Sequence, residues 1–226
     1  MIMKPILLYV WLSLQGIIQL YGQGALIYDQ QSSTNNSGDN VSMTAINAGQ
    51  PVGQSFTPTF SSIDFVRFRF SVPRGPISFS ATGTVFVNLW SGGISNGVLL
   101  AATAPVVVSL LFPNTVAYTN LFFDATVALN PGTTYYLQPF VQSEVGTLNI
   151  GIYQPSFYPA TYAGGMAFIN GRGLGAADLW FREGIIAVPE PSSGRLLFMA
   201  SFFWLLLIGG KGGRLKPMHR QYRFTA

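Results

Sequence analysis

Cysteine does not occur in the 226 residues, histidine occurs once, at His219, and charged side chains make up only 9% of the chain. The missing thiols exclude a disulfide scaffold and thiolate metal sites. With the one imidazole in the C-terminal tail, the body of the chain cannot assemble a Ser-His-Asp triad, a Cys-His pair or an imidazole-bound zinc. Neither a P-loop nor a dinucleotide-binding glycine fingerprint is present, and Gly164-Gly165 and Gly171-Arg172-Gly173 read as tight turns. Low charge is paired with a hydrophobic fraction of 49%, which excludes a disordered polar chain.

Acids are scarcer than bases, eight against twelve, and the resulting +4 with a pI near 9.5 invites a nucleic-acid partner. The placement of the charge removes that expectation. Lys4, Arg195, Lys211, Arg214, Lys216, Arg220 and Arg223 lie at the two ends. Between residues 25 and 190, the five arginines Arg67, Arg69, Arg74, Arg172 and Arg182 stand against all eight acids, so the middle carries −3. Nucleic acid is not an expected partner.

The N-terminal 24 residues follow the plan of an export signal peptide: Lys4, an apolar stretch from Ile6 to Leu20, then Gly22 and Gly24 ahead of a cleavage site near Ala25. The C-terminal segment, 188–226, has three parts: Pro189-Glu190-Pro191 within 188–193, a short membrane helix expected over 196–210, and a basic tail over 211–226. Two prolines around one glutamate cannot enter a helix or a ladder, so the motif is extended and presents its carboxylate. The apolar run Leu196–Ile208 gives a helix of about 20 Å, short of the roughly 30 Å hydrocarbon core. It has no polar face, and Arg195 and Lys211 can snorkel to the headgroups at either end. Lys211, Arg214 and Lys216 hold the tail on the cytoplasmic side, which places the body outside.

In this order, motif, helix and basic cluster resemble the PEP-CTERM sorting signal of Gram-negative bacteria. The resemblance implies recognition by exosortase, cleavage near Pro189-Glu190-Pro191, and a transient inner-membrane anchor. Delivery to the cell surface, outer envelope or extracellular matrix would follow. Gly194-Arg195 departs from the pattern by placing a charge between motif and helix, and Pro217 and His219 interrupt the basic cluster.

The body, residues 25–187, is long enough for one domain without disulfides. Runs rich in Val, Ile, Phe, Thr and Tyr, broken by Gly, Pro and Asn, predict an all-β fold. Ser62–Val72 alternates, with Val66, Phe68, Phe70 and Val72 on one face and Arg67, Arg69 and Ser71 on the other, as in an antiparallel sheet with one wet face. Further strands are expected at 84–90, 98–101, 105–111, 116–123, 134–141, 148–153, 166–170 and 178–182, with Asn130-Pro131-Gly132 as a turn. Eight or nine strands at this spacing predict an antiparallel β-sandwich of jelly-roll kind. The stretches Gln54-Ser55-Phe56, Leu129 to Tyr136, Tyr162 to Gly165 and Asp178 to Gly184 are similar to the all-β ectodomains that precede PEP-CTERM signals. That resemblance implies fold and location but no activity.

Three roles are open for the body. The first is structural or adhesive, with no enzymatic activity and no cofactor. The second is carbohydrate binding in exopolysaccharide, with Trp90, Tyr135, Tyr136 and Trp180 as stacking platforms and Asn88 or Gln138 orienting hydroxyls. The third is glycoside hydrolysis by two carboxylates drawn from Asp29, Asp39, Asp64, Asp124, Glu144, Asp178 and Glu183. Against it, Asp178 and Glu183 flank Arg182 and are expected to form surface pairs with it. The polar run Ser32–Asn40, with Asp39 and help from Asp29, is the candidate for a structural Ca²⁺.

Overall fold

The structure, a computed structural model, describes residues 24–34, 41–72, 80–111, 115–153 and 162–188. The leader, Asp39, the Pro189-Glu190-Pro191 motif, Arg195, the 196–210 run and the basic tail with Lys211, Arg214 and Lys216 lie outside them. Among the described residues there are fourteen strands and no helix. They are β1 (Ala25–Gln31), β2 (Ser42–Ala45), β3 (Gly53–Phe56), β4 (Ser62–Ser71), β5 (Ala81–Ser91), β6 (Val98–Ala102) and β7 (Val106–Leu110). The second half of the chain adds β8 (Val116–Ala128), β9 (Tyr135–Val145), β10 (Asn149–Tyr153), β11 (Ala167–Ile169), β12 (Arg172–Gly173), β13 (Asp178–Leu179) and β14 (Phe181–Ala187).

Alternation of apolar and polar residues sorts these strands into two antiparallel sheets that share one apolar core. Sheet A runs β1-β14-β4-β10-β13, with β8 on β4 and β2 on β10; sheet B runs β12-β11-β3-β9-β5-β6, with β7 on β5. Phe68, Phe70 and Phe181 from sheet A meet Val85, Val87 and Leu137 from sheet B, all fully buried. The result is a sandwich-like all-β fold. Asn130-Pro131-Gly132 makes the expected turn between β8 and β9: Thr133 N–H donates to Asn130 O at 3.1 Å, and Gly132 takes φ +79°, which an L side chain resists.

At one edge the sheets are stitched by β8. Its pairing with β4 slips between Phe122 and Val127, and in that interval Phe123 bridges to Thr103, next to β6 of sheet B. Thr103 Oγ1 also accepts Val87 N–H at 2.9 Å. At the opposite edge the stitch is Gln54 of β3, whose Nε2 donates to Asp178 Oδ1 at 2.9 Å while its Oε1 accepts Leu179 N–H at 2.7 Å. A buried amide with both ends satisfied tolerates its burial.

Two expectations are corrected. The Arg67, Arg69, Ser71 side of β4 is wet only at Arg67, which is half-exposed: Arg69 is 7% exposed and Ser71 is 1% exposed, because Met43, Tyr118 and Trp180 cover them. Asp178 and Glu183 do not form surface pairs with Arg182, since all three are buried and the two carboxyls take their hydrogen bonds from Gln54, Tyr162 and Gln30.

Candidate functional site

The register of β5 against β9 places Phe86 opposite Phe140, Asn88 opposite Gln138 and Trp90 opposite Tyr136. Even-numbered positions on both strands leave the core, because Val85, Val87, Leu89, Tyr135 and Leu137 fill it. The outer face of sheet B is therefore an aromatic row, an amide row and a second aromatic row, about 7 Å apart along the strands. None of the six side chains carries a charge.

The first row is flat. The Phe86 and Phe140 rings stack at 5.5 Å with 11° between their planes, and they line an open cleft of about 440 Å³ with Thr103, Pro105 and Gln142. In the third row Tyr136 stands half-buried, its ring edge-on to Phe168 at 5.6 Å. In the middle row Gln138 is buried and tied to Gln50: Gln138 Nε2 donates to Gln50 Oε1 at 3.0 Å, and Gln50 Nε2 donates to Pro139 O at 2.8 Å. Gln138 Oε1 and Trp90 Nε1 are buried with no hydrogen-bond partner in the protein. What the face presents to solvent is the half-exposed rings of Phe86, Phe140, Trp90 and Tyr136 and the half-exposed Asn88 amide, which is the chemistry that a hydroxyl-rich ring with C–H faces would complement.

Of the four aromatic residues singled out from the sequence, the fold brings together two. Trp90 and Tyr136 face each other across β5 and β9, beside the amides Asn88 and Gln138. Tyr135 points the other way into the core, where its hydroxyl accepts Asn130 N–H at 2.9 Å. Trp180 belongs to sheet A and is fully buried, edge-on to Tyr118 at 4.7 Å. The stacked Phe86 and Phe140 pair was not anticipated. The signal was an even-numbered aromatic on each alternating strand, but only the register shows that the two coincide.

Asp29 is engaged by the chain itself: its oxygens accept Thr59 N–H at 2.7 Å, Phe60 N–H at 2.9 Å, the Thr59 hydroxyl and Gln30 Nε2. Its place is a bulge in β1, where Asp29 and Gln30 together oppose Glu183 of β14. Among the described residues no group of three or more acids is arranged to hold a metal ion. Asp178 and Glu183, two of the proposed hydrolytic carboxyls, sit inside the fold and away from the open cleft. Burial pushes the Asp178 carboxyl up to about 6. Burial, aided by the Asp29 charge, pushes Glu183 up to about 8, and burial raises the Tyr162 hydroxyl between them to about 12. At neutral pH the interior keeps Glu183 and Tyr162 protonated, while Asp178 is ionised above about pH 6 and accepts hydrogen bonds from Gln54 and Tyr162 rather than facing a substrate.

No protein-family model matches the chain, and no curated protein matches it in sequence.

Proposed function

We propose that this is an exported surface protein whose body, a jelly-roll-like sandwich, adheres to polysaccharide through the outer face of sheet B. The observation that carries the reading is the β5–β9 register, which sets two aromatic rows on either side of an uncharged amide row. Aromatic platforms supply area for the C–H faces of sugar rings, and amides fix hydroxyl orientation. An uncharged face of this kind favours neutral sugars. The export leader and the order of Pro189-Glu190-Pro191, apolar run and basic tail support the route. Exosortase is the processing partner, the inner membrane the transient anchor, and the cell surface, outer envelope or extracellular matrix the destination.

The test of adhesion is affinity electrophoresis of the full chain in detergent through gels containing neutral polysaccharides. Retention that is lost in Trp90→Ala and in Tyr136→Ala is expected, and absence of retention in every gel would sink the reading. The sorting step is tested separately by mass spectrometry of the surface-located protein. The expected C-terminus lies near Pro189-Glu190-Pro191, and a surface product that still carries residues 196–226 contradicts it.

A further inference from the structure

Sheet A has an outer face built on a related plan, and the function proposed above does not use it. The registers β1/β14, β14/β4 and β4/β8 place Tyr28, Gly184, Phe65 and Phe122 in one row. The next row is Arg182, Arg67 and Asn120, and the third contains Arg69 and Tyr118, with Trp180 beside them. Guanidinium groups lie against the rings on both sides. Arg182 Cζ is 5.3 Å from the Tyr28 ring and 4.9 Å from the Trp180 ring, and Arg67 Cζ is 5.6 Å from that of Tyr118.

Placing Arg67 and Arg182 directly opposite each other on one face costs free energy, since like charges in a cross-strand pair repel. Neither Arg67 nor Arg69 meets a carboxylate among the described residues. Arg67 Nη1 donates to the Tyr28 hydroxyl at 3.2 Å, and Arg69 Nη1 has only the Met43 sulfur at 3.5 Å. Three of the described acids are engaged elsewhere: Asp29 with Thr59 and Phe60, Asp64 with Thr126 and Ile186, Asp178 with Gln54. Arg67 Nε, Arg69 Nε and Asn120 Oδ1 are all buried without a partner. Gly151 leaves room for this arrangement, since a Cβ there would stand 3.3 Å from Arg69 Nη1. Tyr28, Arg67, Tyr118 and Asn120 remain half-exposed, so the row is open to solvent at Arg67.

Two guanidinium groups, Arg67 and Arg69, that meet no carboxylate among the described residues and lie beside aromatic rings make a site for an anion attached to a ring. We propose that the outer face of sheet A binds the carboxylate of an acidic sugar, with Arg67 as the fork and Tyr28 and Tyr118 as the walls for the ring. A carboxylate is favoured over a tetrahedral anion because its planar pair of oxygens matches the planar fork. This site is separate from the sheet B platform and does not depend on it.

Calorimetric titration of the full chain in detergent with oligogalacturonate tests the proposal. Binding is expected to weaken at least tenfold when the same sugar is methyl-esterified, and to weaken as salt rises. Arg67→Gln is expected to lose at least tenfold in affinity, Arg67→Lys to fall in between, and Trp90→Ala to bind as the wild type does. Should Arg67→Gln fail to fold, Asn120→Asp serves instead: a carboxylate opposite Arg67 is expected to keep the fold stable and abolish uronate binding. Equal affinity for esterified and free sugar overturns the proposal, as does tighter binding of a sulfated oligosaccharide or inorganic sulfate. It is likewise overturned by no binding at all, or by loss in Trp90→Ala with Arg67→Gln unaffected.

Discussion

On sheet B the row between the aromatic pairs holds Asn88 and Gln138, and on sheet A the corresponding row holds Arg182, Arg67 and Asn120. Both faces offer flat rings on either side of a polar row, but one polar row is neutral and the other cationic. The difference in exposure follows. Amides anchored by Gln50 leave Trp90 and Tyr136 half-exposed, whereas the guanidiniums draw Trp180 and Tyr118 over themselves until Arg69 and Trp180 are buried. A guanidinium stacks on rings in a way that a primary amide does not, so the same strand spacing leaves the ring rows half-exposed on sheet B and, on sheet A, covers Arg69 while Arg67 stays half-exposed.

The sharpest way to break this contrast is to truncate one tryptophan on each face. Trp180→Ala removes a fully buried ring and is expected to cost about 3–5 kcal/mol in urea unfolding. Trp90→Ala, half-exposed, is expected to cost about 1 kcal/mol or less; equal losses would show that both faces are structural. A pH series comes next. The Glu183 carboxyl is raised from 4.5 to about 8 in the folded state, so folding retains a proton that unfolding releases between those values. Stability is therefore highest below about pH 4.5 as far as this group is concerned. It falls as pH rises toward 8 by at most about 1.4 kcal/mol per pH unit, then levels off. Glu183→Gln should flatten that slope, and an unchanged slope would place the titrating group elsewhere.

Smaller effects refine the comparison. Trp90→Ala is expected to weaken neutral-polysaccharide retention about tenfold, equivalent to about 1.4 kcal/mol, while leaving oligogalacturonate titration unchanged. Among the described residues Arg172 is the arginine that stands exposed, at the β11–β12 hairpin of sheet B, whereas the Arg67 row belongs to sheet A. Arg172→Ala should change stability by no more than about 0.5 kcal/mol and should not alter uronate affinity. A loss there would show that net charge, rather than the Arg67 row, attracts the acidic sugar.

Much of the sheet pattern was legible because alternation is a local property. Val66, Phe68 and Phe70 on one side of β4 follow from counting, and Asn130-Pro131-Gly132 announces its own turn. The strands β1, β2 and β3 are not legible, since Tyr28-Asp29-Gln30 and Gly53-Gln54-Ser55 lack an apolar rhythm; they are strands because β14, β10 and β9, distant in the chain, pair with their backbones. Tyr135 and Tyr136 illustrate the limit most simply. Adjacent residues of a strand must point to opposite faces, but which one enters the core depends on what lies opposite, and Leu89 and Leu137 decide it. The acids Asp178 and Glu183 were misread as surface groups because their neighbour Arg182 looked like a local partner, while the alternation of β14 sends arginine and glutamate to opposite faces.

The sequence by itself determined that the charge surplus sits at the ends, that the body is strand-forming and without thiol or imidazole, and that its face residues alternate with period two. Those properties depend on composition and on neighbours two residues apart. Tertiary structure alone decided that the aromatic residues of β5 and β9 coincide, that Arg67 and Arg182 are forced together, and which polar atoms are left without partners. Register between strands distant in the chain is set by how two faces bury their apolar sides together, and no local spacing encodes that choice.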